Sequence, residues 1–420
     1  MSEKKHKERR RRERAQKEEP KVNKISDVKM AYIMYGKKAF VVPIVIVVIL
    51  GAIIWGIVYN VRKNNAPQET ADNQKEQVNY IWGEIKPGKR NTNNYTMVTS
   101  SDGVEVPVPT GYTASSASDE NSVNGGFVIY EGTDAVTDSN KWNAQCNRNQ
   151  YVWIPIADVS DMYWRDQTTG KKYGTTYTFT SSSYSKSSSN KREPQTTSYD
   201  IQSTYLTQYL NGMTREDFLM EMEIDFDKML NSVATYGGYY IGRYQTGDLS
   251  QATPVVKRIN TDLSNQTWYT MWKKARKLTG TSAGAQMIWG IQWDETLKWL
   301  IDTGEKTYAE VGKDSTSWGN CYNNSFTYYT NTSKSTATKA SGTRTRIPSG
   351  AYEGANANNV FDLAGNVYDW TLESDGSGTG FNRYGRGGYY GYGGYAASRG
   401  NSGPYSSDYD IGLRCALYIK

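Results

Sequence analysis

The hydrophobic pattern of the chain is dominated by one uncharged run, AFVVPIVIVVILGAIIWGIVY, at residues 39–59. As a helix rising about 1.5 Å per residue, this run would extend about 30 Å, the thickness of a bilayer core. Lys37 and Lys38 precede it, and Arg62 and Lys63 follow it. It is too long for a signal-peptide core, and no Ala-x-Ala cleavage site follows. The pattern predicts a single transmembrane helix.

Further along the chain, apolar residues recur at helical spacing. Thr214 and Asp217 resemble an N-terminal capping pair. Spacings of three or four residues, typical of one helix face, then connect Phe218, Met222, Phe226, Met229 and Val233. Similar patterns predict helices at Ile291–Ile301 and, shorter, at Trp268–Leu278.

Four other apolar runs are short and rich in β-branched and aromatic residues, which favours strands. They are GFVIYEG (126–132), QYVWIPI (150–156), GGYYIGRYQTG (237–247) and DIGLRCALYI (410–419). Short strands, few helices and long Gly- and Asn-rich connections together predict an α+β domain.

The pattern divides the chain into four parts. Residues 1–38 form a basic tail, 39–59 the membrane helix, 60–104 a polar linker or stalk, and 105–420 a compact domain. Within that domain the polar stretches Thr175–Ser198 and Thr330–Thr345 are predicted to be surface insertions.

The distribution of charge predicts the orientation of the membrane helix. Residues 1–38 contain 14 Lys or Arg and 6 Asp or Glu, a net charge of +8, so the remaining residues sum to −2 in a chain of net +6. Positive residues before a span favour a cytoplasmic N-terminus. The large domain is therefore expected outside the cell, in a single-pass cell-membrane protein. Because that domain is nearly neutral, no nucleic-acid partner is expected.

Composition removes several kinds of catalytic site. The only histidine is His6, in the tail, so the large domain has no Ser-His-Asp triad and no His-ligated zinc site. The cysteines, Cys146, Cys321 and Cys415, are too far apart for a CxxC motif. Aromatic residues make up 13% of the chain, with 34 tyrosines, which is unlike a disordered protein.

Four segments carry a family resemblance. QYVWIPI (150–156), YGGYYIGRYQTG (236–247), VFDLAGNVYDWT (360–371) and RGG…IGLRCAL (386–417) occur in this order. Over residues 105–420 the chain resembles the formylglycine-generating-enzyme-like, or sulfatase-modifying-factor, family. The resemblance implies a variant of the C-type lectin fold.

The same resemblance implies an oxidase only if the residues that carry out the oxidation are present. The oxidases of the family bind copper through two cysteines in the loop before the final GFR segment. Here that loop contains no cysteine, and Cu(I) requires soft thiolate ligands. No copper is expected, and the chain is predicted to be a member without catalytic activity.

The loop before GLR also resembles the variable region of bacterial and phage proteins that retroelements diversify. Its tyrosines are separated mainly by Gly, Ser and Asn, the composition of antibody recognition loops. The predicted ligand-binding residues are Tyr389, Tyr390, Tyr392, Tyr395, Arg399, Asn401, Tyr405 and Tyr409. The alternative is an aromatic loop that packs on its own domain.

For Asn366, Val367 and Asp369 the resemblance implies Ca²⁺ binding, since oxygen ligands suit calcium. The alternative is a turn held by the Asn side chain, beside a hydrogen-bonded acid. Arg414, Trp370 and Trp153 are predicted core residues, with Asp369 or Asp362 as the partner of Arg414.

Three functions remain as hypotheses. The first is a membrane-anchored receptor or adhesin-like protein that binds an extracellular protein or glycan through the tyrosine-rich loop. The second is an oxidase or related protein-modifying enzyme, and the third is a structural component of the cell envelope. A disulfide from Cys415 to Cys146 or Cys321 is a further expectation outside the cell.

Overall fold

A computed structural model describes residues 84–376 and 382–420. These residues fall within one compact unit, Glu76–Lys420, while the predicted cytoplasmic tail and membrane helix at 39–59 lie outside the described residues. Across the part that is described, no helix has the length and apolarity needed to cross a bilayer.

The described chain is mostly β-structure. Its strands are β1 (Tyr95–Thr99), β2 (Glu105–Pro109), β3 (Tyr112–Ala114), β4 (Val128–Glu131), β5 (Gln150–Pro155), β6 (Tyr163–Arg165), β7 (Lys172–Gly174), β8 (Thr176–Phe179), β9 (Tyr184–Ser187), β10 (Gly238–Gly242), β11 (Ala283–Met287), β12 (Phe326–Tyr329), β13 (Thr336–Lys339), β14 (Asn356–Ala357), β15 (Val360–Phe361), β16 (Tyr368–Ser374), β17 (Arg383–Arg386), β18 (Arg399–Ser402), β19 (Ile411–Leu413) and β20 (Cys415–Ile419). The helices are α1 (Lys141–Asn147), α2 (Ser203–Tyr209), α3 (Arg215–Tyr236), α4 (Trp268–Ala275), α5 (Gly290–Asp302) and α6 (Tyr308–Gly312).

The central sheet has six antiparallel strands in the order β11-β20-β10-β5-β4-β3. β20 lies in its interior, where Leu417 is opposite Tyr240 on β10 and Ala285 on β11. The strands read as continuous apolar runs because both faces of the sheet are covered, as the complete burial of β10 shows.

Helix α3 confirms the predicted periodic segment. Thr214 caps its first turn by accepting a 3.0 Å hydrogen bond from the Asp217 amide, and Gly237 ends it in the left-handed region at φ 85°. The predicted apolar residues are buried along one face. The other two predicted helices are also present, as α5 and as α4 followed by a 3₁₀ turn at Arg276–Leu278.

A second, four-stranded sheet has the order β18-β17-β16-β19, in which β16 and β19 are parallel. Tyr368 is opposite Ile411 at one end, and Arg383 is opposite Ser402 at the other. The loop residues 387–398 leave β17 at the first end, and residues 403–410 return from the second end to β19. This sheet therefore positions both parts of the tyrosine-rich loop.

Two boundaries differ from the sequence prediction. Residues 95–99, within the predicted linker, form β1 and pair along their whole length with β2. The predicted surface insertion Thr175–Ser198 is only partly on the surface, because Tyr177 and Glu193 are buried. The Tyr177 hydroxyl donates to the Glu295 carboxylate, which ties this segment to α5. In contrast, Thr330–Thr345 contains the mostly exposed hairpin turn between β12 and β13.

Candidate binding surface

The first part of the tyrosine-rich loop is arranged around Tyr368. The ring of Tyr389 stacks on Tyr368 with centroids 5.5 Å apart and planes 26° apart, and Tyr390 meets Tyr389 edge-on at 5.6 Å. Burial, followed by the nearby Tyr389 hydroxyl and the Asp410 carboxylate, raises the pKa of Tyr368. Tyr392 is 66% exposed, and Tyr395 is also exposed.

The second part of the loop carries Tyr405 and Tyr409. Tyr409 is 68% exposed. Tyr405 is exposed at its rim, but its ring stacks on Tyr205 at 5.4 Å and meets Tyr199 edge-on at 4.6 Å. Backbone hydrogen bonds from Asn265 to the Asp408 carbonyl and from Trp268 to the Pro404 carbonyl, both 3.0 Å, hold this part against the domain.

Buried ion pairs fix the strands between the two parts. Arg386 pairs with Asp294 at 2.6 Å and Glu373 at 3.1 Å, and Arg399 pairs with the same two carboxylates at 2.6 and 3.1 Å. Burial alone would raise the pKa of Glu373, but the guanidiniums of Arg399 and Arg386 hold it down at about 2. The carboxylates are thus shared by both arginines.

Arg399, one of the predicted ligand-binding residues, has internal partners. Besides the two carboxylates, its guanidinium donates to the Tyr177 carbonyl at 2.9 Å. We therefore treat Arg399 as part of the frame under the loop. Asn401, two residues later on β18, is exposed, and its backbone pairs with Tyr384.

Exposed large hydrophobic side chains are concentrated in and around the tyrosine-rich loop. Among the described residues they are Met97, Val104, Ile201, Tyr322, Tyr392, Tyr395, Tyr405 and Tyr409. Four of these eight belong to the loop. The Tyr322 amide donates to the Tyr392 carbonyl at 3.3 Å, and Ile201 ends the 3₁₀ turn that contains Tyr199. Clustering of exposed aromatic side chains marks interaction surfaces.

The sequence did not indicate Tyr199, Tyr205, Tyr322 or Tyr368 as surface neighbours of the loop. Each is distant in the chain from residues 389–409, and contact across such separations depends on the fold. The one available indication is the composition of residues 198–209, where three tyrosines are separated mainly by small or polar residues, as the tyrosines of the loop are.

The predicted calcium ligands lie together but have internal partners. The Asn366 side-chain oxygen accepts from Asn320 and from the Ile347 amide, both at 3.0 Å. The Val367 carbonyl accepts from Gln245 at 2.7 Å, and Asp369 pairs with Arg414 at 2.9 Å. Nitrogen donors already occupy the Asn366 and Val367 oxygens and Asp369 Oδ2, which leaves only Asp369 Oδ1 without a hydrogen bond to the described residues, so this set does not fit a calcium site. It fits the alternative, a turn held by Asn366, which has φ 60°.

Arg414 is buried, as are Trp153 and Trp370, in agreement with their predicted core positions. Of the two predicted partners, Asp369 supplies the carboxylate, and Asp362 contributes only its backbone carbonyl, at 3.1 Å from the guanidinium. Burial raises the pKa of Asp369 to about 6 even though Arg414 opposes this shift.

The three cysteines are free, so the expected disulfide of Cys415 is absent. Cys415 and Cys321 are buried, and burial raises the pKa of the Cys415 thiol to about 12. Cysteine nucleophiles and copper ligands need a thiolate, which this shift disfavours. Within the described residues no group of three or more His, Cys, Asp or Glu side chains is placed to hold a metal ion.

Residues 269–419 match the family model described as Sulfatase-modifying factor enzyme 1-like domain. The match includes the second sheet and both parts of the loop. It confirms the predicted resemblance over these residues. No curated protein matches the chain.

Two solved structures are similar to part of the chain. One is described as the crystal structure of CarF, with 16% identity, 44% of this chain and 87% of that chain covered, and a TM-score of 0.32. The other is the Treponema denticola variable protein 1, with 15% identity, 43% and 85% covered, and a TM-score of 0.27. Likenesses this distant do not bear on the function of the chain.

Proposed function

We propose that this chain is a membrane-anchored, ligand-binding protein of the cell surface, which contacts an extracellular protein or glycan through the tyrosine-rich loop. The observation that carries the proposal is the exposure of Tyr392, Tyr395 and Tyr409 on loop parts connected to strands that buried ion pairs hold in place. Rigid support lowers the entropy lost when exposed side chains become ordered on binding. Tyrosine adds a large contact area with few rotatable bonds.

The arrangement of sulfurs supports binding rather than oxidation. An oxidase of the type that the family resemblance implies needs two cysteines close together in an open site. The three cysteines here are separate, two of them are buried, and none lies in the loop. Contact with a ligand therefore explains the exposed tyrosines better than redox chemistry does.

The binding test uses the full chain, purified in detergent and screened on arrays of purified extracellular proteins and of glycans. We expect the triple substitution Tyr392→Ser, Tyr395→Ser and Tyr409→Ser to weaken capture of the strongest hit by about tenfold or more, since tyrosines are enriched among hot spots. Surface plasmon resonance measures the affinity.

A matched control replaces two exposed apolar residues elsewhere, Met97→Ser and Val104→Ser, which lie on or beside the β1–β2 hairpin. This control should bind like the native chain, and both variants should keep its thermal unfolding midpoint. Equal affinity of the triple variant and the native chain would refute the proposed role of the loop.

The membrane placement is proposed from residues 39–59 and from the basic tail. Epitope tags at the two ends of the chain test it by antibody staining of cells. We expect the C-terminal tag to stain on intact cells, and the N-terminal tag to stain only after permeabilisation. Replacing Arg9–Arg12 by Glu should reduce the fraction of molecules with this orientation, because positive residues specify the cytoplasmic side. Staining of the N-terminal tag on intact cells would contradict the proposed topology.

A further inference from the structure

A second tyrosine cluster adjoins the loop and belongs to a different part of the chain. Residues 198–209, which comprise a 3₁₀ turn and α2, bring Tyr199, Tyr205 and Tyr209 beside Tyr405. Tyr205 stacks on Tyr405 at 5.4 Å and on Tyr209 at 6.1 Å, and the Tyr199 hydroxyl donates to the Tyr405 hydroxyl at 3.3 Å. Ring contacts therefore continue from the loop into this segment.

Buried groups anchor the far end of the cluster. Tyr209 stacks on Tyr269 at 4.9 Å, and the Tyr269 hydroxyl donates to Asp200 at 2.5 Å. Asp200 in turn pairs with the buried Arg383 of β17 at 2.9 Å. Residues 198–209 are thereby connected to the same sheet that carries the loop, which gives both segments a common support.

The outward side of residues 198–209 resembles the loop in chemistry. Ile201 is 50% exposed, and the exposed polar positions are Ser, Thr or Gln. At exposed or partly buried positions of 198–209 and 387–410 the charged residues are Arg399, which is paired with carboxylates, and Asp408 and Asp410 at the end of the loop. Most of this surface therefore offers rings, hydroxyls and amides to a partner.

The size of the combined surface indicates the kind of partner. Thirteen residues of the loop parts 387–398 and 403–410 are exposed or only partly buried, and residues 198–209 add eleven. The total of twenty-four lies within the range of about 20–30 residues per side in stable protein–protein interfaces. The loop alone does not reach this range.

We infer that residues 198–209 form the second half of the recognition surface, and that its partner is a folded protein with a mostly uncharged contact face. The inference rests on the proposed function of the loop and extends it to a segment outside the matched domain at 269–419. Tyr405 joins the two halves, since its ring contacts both Tyr199 and Tyr205.

The test uses the full chain on the same protein and glycan arrays, with the chain itself included as one spot, and then measures affinities for the strongest protein hit. Ile201→Lys places a charge among the uncharged exposed residues of 198–209, and Tyr205→Ser removes the ring next to Tyr405. Each is expected to weaken binding by about tenfold or more. Met97→Lys, on an exposed apolar residue of β1, is the matched control and should leave the affinity unchanged.

Thermal unfolding midpoints show whether each variant is folded, and Ile201→Lys is informative even if Tyr205→Ser is not stable. Loss of binding in the Tyr392, Tyr395 and Tyr409 variant, with native affinity in both segment variants, would overturn the inference and leave the proposed function standing. Native affinity in all of them would overturn both. Hits confined to glycans, capture of the chain only by itself, or no protein hit would overturn the assigned partner.

Discussion

Arg414 illustrates how a single residue holds the domain beneath the loop. Its guanidinium pairs with Asp369 and also donates to the carbonyls of Gly242 and Phe361, both at 2.9 Å. Both charges of the pair are fully buried. The favourable contribution of such a pair depends on both partners, because removing one leaves an uncompensated charge in the interior.

We therefore expect Arg414→Met to destabilise the domain by about 3–5 kcal/mol, the usual effect of breaking a buried ion pair. Urea unfolding followed by tryptophan fluorescence gives the free energy of unfolding. Arg344→Met is the control, since Arg344 is exposed, and its effect should stay within about 0.5 kcal/mol. A similarly small change for both variants would show that the Arg414 pair does not stabilise the fold.

At the scale of elements, agreement between sequence and structure followed the strength of local patterns. Helix α3 combines a cap, an apolar stripe and a terminal glycine, and the structure has it as predicted. The segment DIGLRCALYI was predicted as one strand but divides at Arg414 into β19 and β20, which belong to different sheets. Nothing local specifies that division, since it results from the long-range pairing of each half.

The same reasoning explains where the site prediction was incomplete. The tyrosine-rich composition of the loop can be recognised in the sequence. That Tyr368 and Tyr205 are neighbours of this loop depends on strand pairing and on the position of α2, which the sequence does not show. The polar composition of Thr175–Ser198 suggested a surface location. Its few buried residues, such as Glu193, which accepts from the Gly290 and Ile291 amides at 2.7 Å, place part of it inside.

The cap of α3 can be tested separately. Replacing Thr214 by Ala should destabilise the domain by about 1 kcal/mol, because the Asp217 amide loses its side-chain acceptor. Thr207→Ala, at an exposed position within α2, serves as the comparison and should change stability much less. Chemical denaturation with an unchanged m-value measures both. A Thr214 variant as stable as the native chain would argue against the capping role.

At the scale of the whole molecule, two sets of buried carboxyl groups have opposite effects on how stability depends on pH. Burial would raise the pKa of Glu120, but Arg243 lowers it to about 2, and arginines do the same for Glu373. In contrast, burial raises the pKa of Glu193 to about 8 and that of Asp227 to about 7. The first set loses its stabilising contribution as the pH falls below its ordinary pKa of 4.5 towards 2.

For the second set, the folded state binds protons more tightly than the unfolded state, so stability falls as the pH rises from the ordinary pKa values near 4 towards 8. Together the two sets predict that the described domain is most stable at about pH 4 to 4.5, near the ordinary pKa values of these carboxyl groups. Scanning calorimetry from pH 3 to 9 (about one unit per step) measures the midpoint. A maximum above neutrality would contradict the assignment of the second set.

The interior position of β20 has a consequence for biosynthesis. Its neighbours β10 and β11 both leave the ribosome earlier, yet neither can complete its backbone pairing until residues 415–419 emerge. A nascent chain halted after β19 would present two unsatisfied strand edges, the kind of surface on which other chains aggregate. The dependence of the nascent chain on chaperones should therefore be greatest in the interval between the synthesis of β11 and that of β20.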